Sequence, residues 1–247
     1  MTENRTSSAK SKKRLRESDG SSSAAAVSAR AIKSSTTASS SKETAAATPD
    51  LSAINSAYGD IDGYAIARDA KRKQRERGVF LDGIQYGEVS PESFATALEW
   101  CSPQPNEHFL DIGSGSGKAV LTAAALYDFA SSTGVEILQP LHEAALRAHA
   151  ACPRGSLRCT DVRLVCADAF SMEPPWHEAD VVFCTTTCFT DELIEQLEES
   201  AAQLRTGARL IVTTRELRHQ VAGLRLLRKE KLGYGKGSLL FLAYEKQ

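Results

Sequence analysis

The feature that most constrains the fold of this chain is a glycine-rich junction between a buried strand and a helix. Residues 108–112 (HFLDI) are apolar enough to form a short buried strand, and the loop 113–117 (GSGSG) follows at once. An Ala/Leu-rich run from Lys118 to Phe129 then predicts a helix. Glycines at such a junction permit a tight turn and let a ligand approach the backbone closely.

Downstream, extended segments alternate with helical ones. Helices are predicted after Ser90-Pro91, Pro140 and Thr190, where capping residues or first-turn prolines stand. This alternation predicts right-handed crossovers and a parallel sheet covered on both faces. Three closely spaced glycines (233, 235 and 237) predict a closing antiparallel hairpin. The further strands are expected at 133–137, 163–167, 179–185, 208–213, 224–231 and 238–244.

The first fifty residues differ in composition from the rest. Residues 1–50 contain no Phe, Tyr or Trp and carry a net charge of +4, while the whole chain of 247 residues carries −1. Such a segment cannot bury enough apolar surface to offset its ordering entropy. We therefore predict a disordered basic tail over 1–50 and one folded domain over 51–247, with a helical lead-in (51–105) and a core sheet (106–247).

Two basic clusters raise the question of partners. The cluster at 10–16 (KSKKRLR) is either a nuclear import signal or a solubilising tail, and a mitochondrial presequence is disfavoured by Glu17 and Asp19. The run at 71–77 (KRKQRER) either meets nucleic-acid phosphates or forms a solvated helical face, which is the more common arrangement. Both the tail and this run are therefore candidates for contact with DNA.

The sequence favours neither a membrane partner nor a metal. No apolar run approaches the roughly 20 residues of a membrane helix, and residues 1–5 lack the apolar stretch of a secretory signal. The six cysteines form no C-x-x-C pair, so we interpret them mostly as packed small hydrophobes. We expect a nuclear location, with the cytoplasm as the alternative.

Acidic residues at successive strand ends suggest what the glycine loop binds. The spacing G-x-G-x-G fits neither the nicotinamide fingerprint nor a P-loop, and Asp111 would repel a pyrophosphate. Glu136, at the end of the second predicted strand, can accept both hydroxyls of a ribose, and Asp168, after the third, can accept from an adenine amino group. An adenosine without diphosphate, next to a positive centre, describes S-adenosylmethionine. The alternative is that these acids merely cap helices.

The chain resembles the disruptor-of-telomeric-silencing family of histone-lysine methyltransferases, within the class I S-adenosylmethionine-dependent methyltransferases, in three segments: 86–88 (YGE, the Tyr-Gly-Glu segment), 109–118 (FLDIGSGSGK) and 134–136 (GVE). The resemblance spans roughly residues 80–215, and it implies a doubly wound, seven-stranded Rossmann-like methyltransferase sheet. It also implies that the Tyr-Gly-Glu segment lies over the bound cofactor. The implied cofactor-binding residues are Tyr86, Gly87, Glu88, Val89, Phe109, Leu110, Asp111, Ile112, Gly113, Ser114, Gly115, Ser116, Gly117, Lys118, Glu136, Asp168, Ala169 and Phe170.

The sequence departs from the family pattern at three places. Val89 stands where the family usually has Thr, and Ala169 where it has an aromatic residue, for which Phe170 is a substitute. At the end of the fourth strand the family has Asn-Asn-Phe-x-Phe, with its first Asn lining the lysine channel, whereas residues 185–189 here read TTTCF. This last change questions the histone substrate more than methyl transfer.

The expected reaction is an in-line methyl transfer in which the cofactor holds nearly all the chemistry. A lysine acceptor must arrive deprotonated, and an apolar channel lowers its pKa. We assign Phe189 as a channel wall, Thr185 to orient the amine and Tyr86 to close the site. The expected substrate is a core histone in the nucleosome. The alternatives are a non-histone protein, a small molecule, or a cofactor-binding scaffold without catalysis.

Overall fold

The computed structural model describes residues 50–78, 86–171, 176–218, 223–234 and 237–247. The predicted tail, apart from Asp50, lies outside the described residues, and so does the tip of the predicted hairpin at 235–236. None of the described helices is both long enough and apolar enough to cross a membrane.

Helices and strands alternate through the described chain after three initial helices. In chain order the helices are α1 (Ser52–Ala57), α2 (Gly63–Glu76), α3 (Pro91–Glu99), α4 (Lys118–Leu126), α5 (Gln139–Ala151) and α6 (Asp191–Ala201), with a short 3₁₀ turn at Trp176–Glu178. The strands are β1 (His108–Ile112), β2 (Ser131–Glu136), β3 (Val162–Cys166), β4 (Val181–Cys184), β5 (Arg209–Thr213), β6 (Leu224–Tyr234) and β7 (Gly237–Lys246).

The strands form one seven-stranded sheet in the order β3-β2-β1-β4-β5-β7-β6. The first five are parallel, and β7 is antiparallel to both β5 and β6. The predicted α/β class and closing hairpin are therefore confirmed. The strand order reverses between β1 and β4, and sheets of this type bind ligands at such a switch point.

The central strands β1, β4 and β5 are buried on both faces of the sheet. On β1, Leu110 and Ile112 belong to a core that includes Ile194 and Leu197 of α6, whereas Phe109 belongs to a core with α3 and α4. The mostly apolar sequences of these three strands follow from this double burial.

Two helix ends differ from the prediction. Helix α4 ends at Leu126 instead of Phe129, because Tyr127 adopts an extended backbone (φ −131°, ψ 151°). The amide of Ala130 then donates to the carbonyl of Glu107 at 2.8 Å, which leads the chain into β2. Helix α6 begins after the predicted Thr190 cap and ends at Ala201, whereas the glycine at position 207 predicts an end six residues later.

Gly134 in β2 lets the glycine loop and α4 pack directly on the sheet. A Cβ at this position would lie 2.6 Å from Cγ2 of Val120 and 2.8 Å from Cβ of Ser114. Neither neighbour can move freely, since Val120 lies in α4 and Ser114 in the loop. The position therefore requires glycine for steric reasons.

We expect Gly134→Ala to lower the free energy of unfolding by about 1–3 kcal/mol, the usual cost of overpacking a buried site. Urea unfolding followed by circular dichroism would measure it. The matched control is Gly59→Ala, where the nearest atom to a new Cβ is the Ser56 carbonyl oxygen at 3.4 Å. That control should change stability by about 0.5 kcal/mol or less. Equal effects at the two positions would contradict the steric explanation.

Candidate functional site

Two adjoining cavities open at the carboxyl ends of β1, β2, β3 and β4. The larger, of about 150 Å³, and the smaller, of about 30 Å³, share Tyr86, Gly87, Gly113 and Thr185 in their linings. The larger cavity is also lined by Ile112, Val135, Glu136, Ile137, Leu138, Leu141, Ala167, Asp168, Ala169, Phe170, Cys188, Phe189 and Leu193. The smaller one is also lined by Glu88, Val89, Asp111, Ser114, Gly115, Ser116, Lys118, Ala119 and Phe183.

The glycine loop takes a backbone path that only glycine adopts readily. Gly113, Gly115 and Gly117 have φ values of +73°, +55° and +80°. The amides of Gly113 and Ser114 both donate to the carbonyl of Val135, at 2.9 and 3.0 Å. The loop is thereby bound to the end of β2, and its turn presents the backbone of residues 113–116 to the cavities.

Glu136 fixes this loop from the end of β2. Its Oε2 accepts from the amide of Gly115 and its Oε1 from the amide of Leu138, both at 2.7 Å. Burial raises the pKa of this carboxyl, and the backbone donors partly offset that effect. Each oxygen retains a second acceptor site, and the residue lines the larger cavity, so Glu136 can also accept from a ligand.

Asp111, at the end of β1, is a buried acid that lines the smaller cavity. Its side chain is 3% exposed, and no described residue donates a hydrogen bond to its carboxylate. Burial raises its pKa well above the usual value, and the nearby Glu136 carboxylate raises it further. A buried carboxylate with neither donor nor counter-ion is suited to a cationic ligand group.

The Tyr-Gly-Glu segment is held by an ion pair and a shared hydroxyl network. Lys118 Nζ lies 2.5 Å from Glu88 Oε2, and the Tyr86 hydroxyl bonds to the other oxygen of Glu88. The same hydroxyl lies 3.1 Å from Ser116 Oγ. Burial and the Glu88 carboxylate raise the pKa of Tyr86, which keeps its hydroxyl protonated. These contacts join the segment to the glycine loop and to the start of α4.

Gly63, at the start of α2, was not anticipated from the sequence. A Cβ there would overlap the Tyr86 hydroxyl and a carboxylate oxygen of Glu88. The helix therefore approaches the Tyr-Gly-Glu segment closely only because position 63 is glycine. In the sequence, only the loop-like residues 60–64 (DIDGY) could have indicated this close approach.

The loop after β3 contributes an acid and an aromatic ring. Asp168 accepts from the amide of Phe170 at 3.0 Å and from Ser171 Oγ at 3.1 Å. The Phe170 ring lies 6.4 Å from that of Phe189, which follows β4, in an edge-to-face arrangement. Both rings line the larger cavity and give it apolar walls.

The three threonines after β4 have different surroundings. Thr185 lines both cavities, whereas the Thr186 hydroxyl donates to the carbonyl of Thr213 at the end of β5. The Thr187 hydroxyl lies 2.9 Å from that of Thr214, a residue with a left-handed backbone (φ +65°). Only the first of the three therefore faces the site, while the other two bind the loop to β5.

The structure brings most of the sequence-predicted site residues to these cavities, with three exceptions. Phe109 packs against Phe94 and Phe129 in the core. Leu110 lies in the core on the other face of the sheet. Gly117 faces α5, where a Cβ would lie 3.0 Å from that of Ala145.

Several apolar lining residues were not predicted from the sequence, because no charge or glycine distinguishes them. Most of them lie one to three residues beyond an acidic or hydroxyl residue at a strand end, or in the first turn of the next helix, whereas Ala167 lies between β3 and Asp168. They are Ile137, Leu138, Leu141, Ala167, Cys188 and Leu193.

Comparison with known sequences indicates a histone-modifying family. The sequence model described as "Histone methylation protein DOT1" matches residues 70–232. A segment of 54 residues is 39% identical to the histone-lysine N-methyltransferase, H3 lysine-79 specific, of Eremothecium gossypii. That segment covers 22% of this chain and only 9% of the Eremothecium protein.

Comparison with solved structures shows the fold. An RNA methyltransferase from Salinibacter ruber, in complex with S-adenosyl-L-homocysteine, superposes with a TM-score of 0.52 at 19% identity, covering 65% of this chain and 94% of that one. Magnesium protoporphyrin IX methyltransferase from Synechocystis, with bound SAM, gives 0.51 at 14% identity, covering 76% and 99%. The sheet is therefore that of the Rossmann-like methyltransferases.

We expect Asp111→Asn to stabilise the ligand-free protein at neutral pH. Because burial raises the pKa of Asp111 in the folded state, stability is lost as the pH rises from the unfolded value of 3.8 through the folded value. Asparagine does not ionise, so the variant does not lose stability in this way as the pH rises. The advantage of the variant in urea unfolding should therefore shrink as the pH falls towards about 4.

The control for this prediction is Asp161→Asn, since Arg163 lowers the pKa of Asp161. Its pH dependence should have the opposite sign, with a contribution to stability that is lost on acidification. An Asp111→Asn protein that is less stable than the wild type at neutral pH would disprove the uncompensated burial of this acid.

Proposed function

The chain belongs to the DOT1 family of histone methylation proteins, and from that membership we propose that it is an S-adenosylmethionine-dependent protein-lysine N-methyltransferase acting on a core histone in the nucleosome. One observation carries the proposal: the matched range 70–232 contains every described residue that lines the two cavities. The site and the family match therefore coincide.

The side chains of the cavities fit S-adenosylmethionine. Glu136 has acceptor sites left for the ribose hydroxyls, and the loop residues 113–116 leave room beside the backbone for a ligand. The unpartnered Asp111 carboxylate suits the ammonium group of the methionine part. Asp168, Ala169 and Phe170 line the end proposed for the adenine. When bound, the cofactor supplies an electrophilic methyl group on a sulfonium centre.

The residues of this chain contribute alignment, exclusion of water and control of the acceptor's charge. Phe189 gives the larger cavity an apolar wall, which disfavours an ammonium ion and so lowers the pKa of an incoming lysine. Thr185, at the junction of the two cavities, offers a hydroxyl that can orient the amine. Tyr86, which lines both cavities, closes the site from the side of Glu88.

A histone substrate implies that the protein binds nucleosomes and acts in the nucleus. The basic run 71–77, a candidate for DNA contact, lies on and just beyond α2, and most of its residues are exposed. The basic tail stays a second candidate. The division into a tail over 1–50 and a methyltransferase domain over 51–247 also stays a prediction.

A second substrate class is favoured by one observation. Thr185 stands where the family has its channel-lining Asn, and the next hydroxyl, that of Thr186, is used by β5. A threonine offers one hydroxyl where an asparagine offers both a carbonyl oxygen and two donors. A non-histone protein or a small molecule is therefore the alternative acceptor.

Labelled S-adenosylmethionine distinguishes these functions. We expect the full chain to transfer label to a core histone in reconstituted nucleosomes, and to free histones less or not at all. Label found only on other proteins or on metabolites of an extract would establish the alternative acceptor. Tight cofactor binding without transfer to nucleosomes, free histones or extract would contradict methyltransferase function.

We expect Glu136→Ala to weaken cofactor binding by about 1–3 kcal/mol, because charged hydrogen bonds to the ribose and the anchor of the Gly115 amide are both lost. Calorimetric titration with S-adenosyl-L-homocysteine measures it. The matched control is Glu143→Ala, an exposed acid on α5. Equal affinity of the Glu136 variant and the wild type would show that the ribose binds elsewhere.

A further inference from the structure

A groove runs along one side of α2 and ends at the cofactor cavities. Its lining consists of Tyr64, Ala67, Tyr86, the ion-paired Arg72 and Glu76, and three further cations, Arg68, Lys71 and Arg75. The three cations are three and four residues apart, so they share one face of the helix and span about 10 Å of its length. Tyr86 closes the inner end of the groove and also lines both cavities.

The cations of α2 are of two kinds. Arg72, which also lines the groove, and Lys73 are both paired with Asp69, and Arg72 is paired with Glu76 as well. Arg68, Lys71 and Arg75 have no acidic partner within the described part of the chain. Helix α2 therefore neutralises Arg72 and Lys73 internally and leaves three of the groove's positive charges uncompensated.

The groove approaches the acceptor end of the site through Lys71. Its ammonium lies near enough to the Cys188 thiol for each to shift the pKa of the other: the thiol raises that of Lys71, and the ammonium lowers that of Cys188. Burial is the larger influence on both groups and acts in the opposite direction. Cys188 lines the larger cavity together with Phe189, the proposed wall of the lysine channel. The positive charge of the groove therefore starts, at Lys71, close to the place where the target lysine would enter.

We propose that Arg68, Lys71 and Arg75 bind consecutive phosphates of nucleosomal DNA beside the target lysine, an inference that rests on the proposed histone substrate. One DNA strand presents a phosphate about every 3.4 Å of helix axis, so 10 Å of α2 faces about three of them. Arginine and lysine are the usual phosphate ligands.

An acidic protein surface is the less favoured occupant. Protein interfaces are organised around buried apolar anchors, which are surrounded by a polar rim. Tyr64 is the only large exposed apolar side chain that lines this groove among those described, and the others (Ile137, Leu146, Val165 and Leu226) lie on other elements. The groove thus offers charge without an apolar anchor site, as a phosphate backbone requires.

The test compares two double variants of the full chain that remove the same charge from the same helix. Lys71→Gln/Arg75→Gln changes the groove, whereas Lys73→Gln/Arg77→Gln changes residues outside its lining at the same spacing. Affinity for a fluorescent 30-base-pair DNA duplex is measured as a function of salt. We expect the groove variant to bind about tenfold more weakly at low salt, with a log–log salt slope smaller by about 2.

The control variant should stay within about twofold of the wild type, and the charge-preserving swap Lys71→Arg/Arg75→Lys should restore the binding of the groove variant. Affinity for S-adenosyl-L-homocysteine should be unchanged in all three proteins. Equal DNA affinities of the groove and control variants would overturn the proposal. Loss of binding to polyglutamate or to a histone dimer, without loss of binding to DNA, would assign the groove to an acidic protein and overturn it as well.

Nucleosome methylation separates this inference from the proposed function. If the wild type labels nucleosomal histone, the groove variant should do so with a kcat/KM reduced about tenfold, because weaker DNA contact raises KM. A wild type that labels no histone refutes the proposed substrate, while the DNA titrations still decide whether the groove binds phosphates. A wild type that labels nucleosomes, together with a groove variant of equal kcat/KM, refutes the docking role alone.

Discussion

The candidate site depends on one buried carboxylate that receives two backbone amides. Glu136 ends β2 and accepts from Gly115 in the loop after β1 and from Leu138 at the start of α5. Without this acceptor, the amides of two neighbouring crossover connections would be buried without partners, at a cost of about 1–3 kcal/mol each. The same oxygens face the larger cavity, so the group that sets the shape of the glycine loop also presents acceptors to a ligand.

The burial of a second acid, Asp111, near Glu136 is energetically unfavourable. Asp111 is buried near Glu136 and has no donor among the described residues. Burial raises the pKa of both carboxyls, and repulsion by Glu136 raises that of Asp111 further. A core designed for stability alone would place an apolar or amide side chain at the end of β1. The conflict is resolved if a cation binds there, since a positive ligand group compensates both the burial and the repulsion.

Local patterns in the sequence predicted the sheet, its closing hairpin and the acids at the strand ends. These features follow from alternating apolar segments, caps such as Ser90 and Thr190, and glycines where the backbone has positive φ. The network of Tyr86, Glu88, Ser116 and Lys118 could not be predicted in this way, because it joins side chains about 30 residues apart. The same holds for Gly63, whose role appears only when α2 approaches Tyr86.

The charge run 71–77 shows why a local pattern can mislead as well as inform. From the sequence, the run is interpreted as a solvated face of a helix. The structure supports that interpretation for Arg72 and Lys73, which both pair with Asp69. Lys71 and Arg75 line the groove beside Tyr86, as Arg72 does, but neither has an acidic partner among the described residues. A single run of charge therefore divides into a part that stabilises α2 and a part that is left for a partner. The division is set by the position of Asp69 on the helix, which neutralises the cations three and four residues after it and leaves the groove face charged.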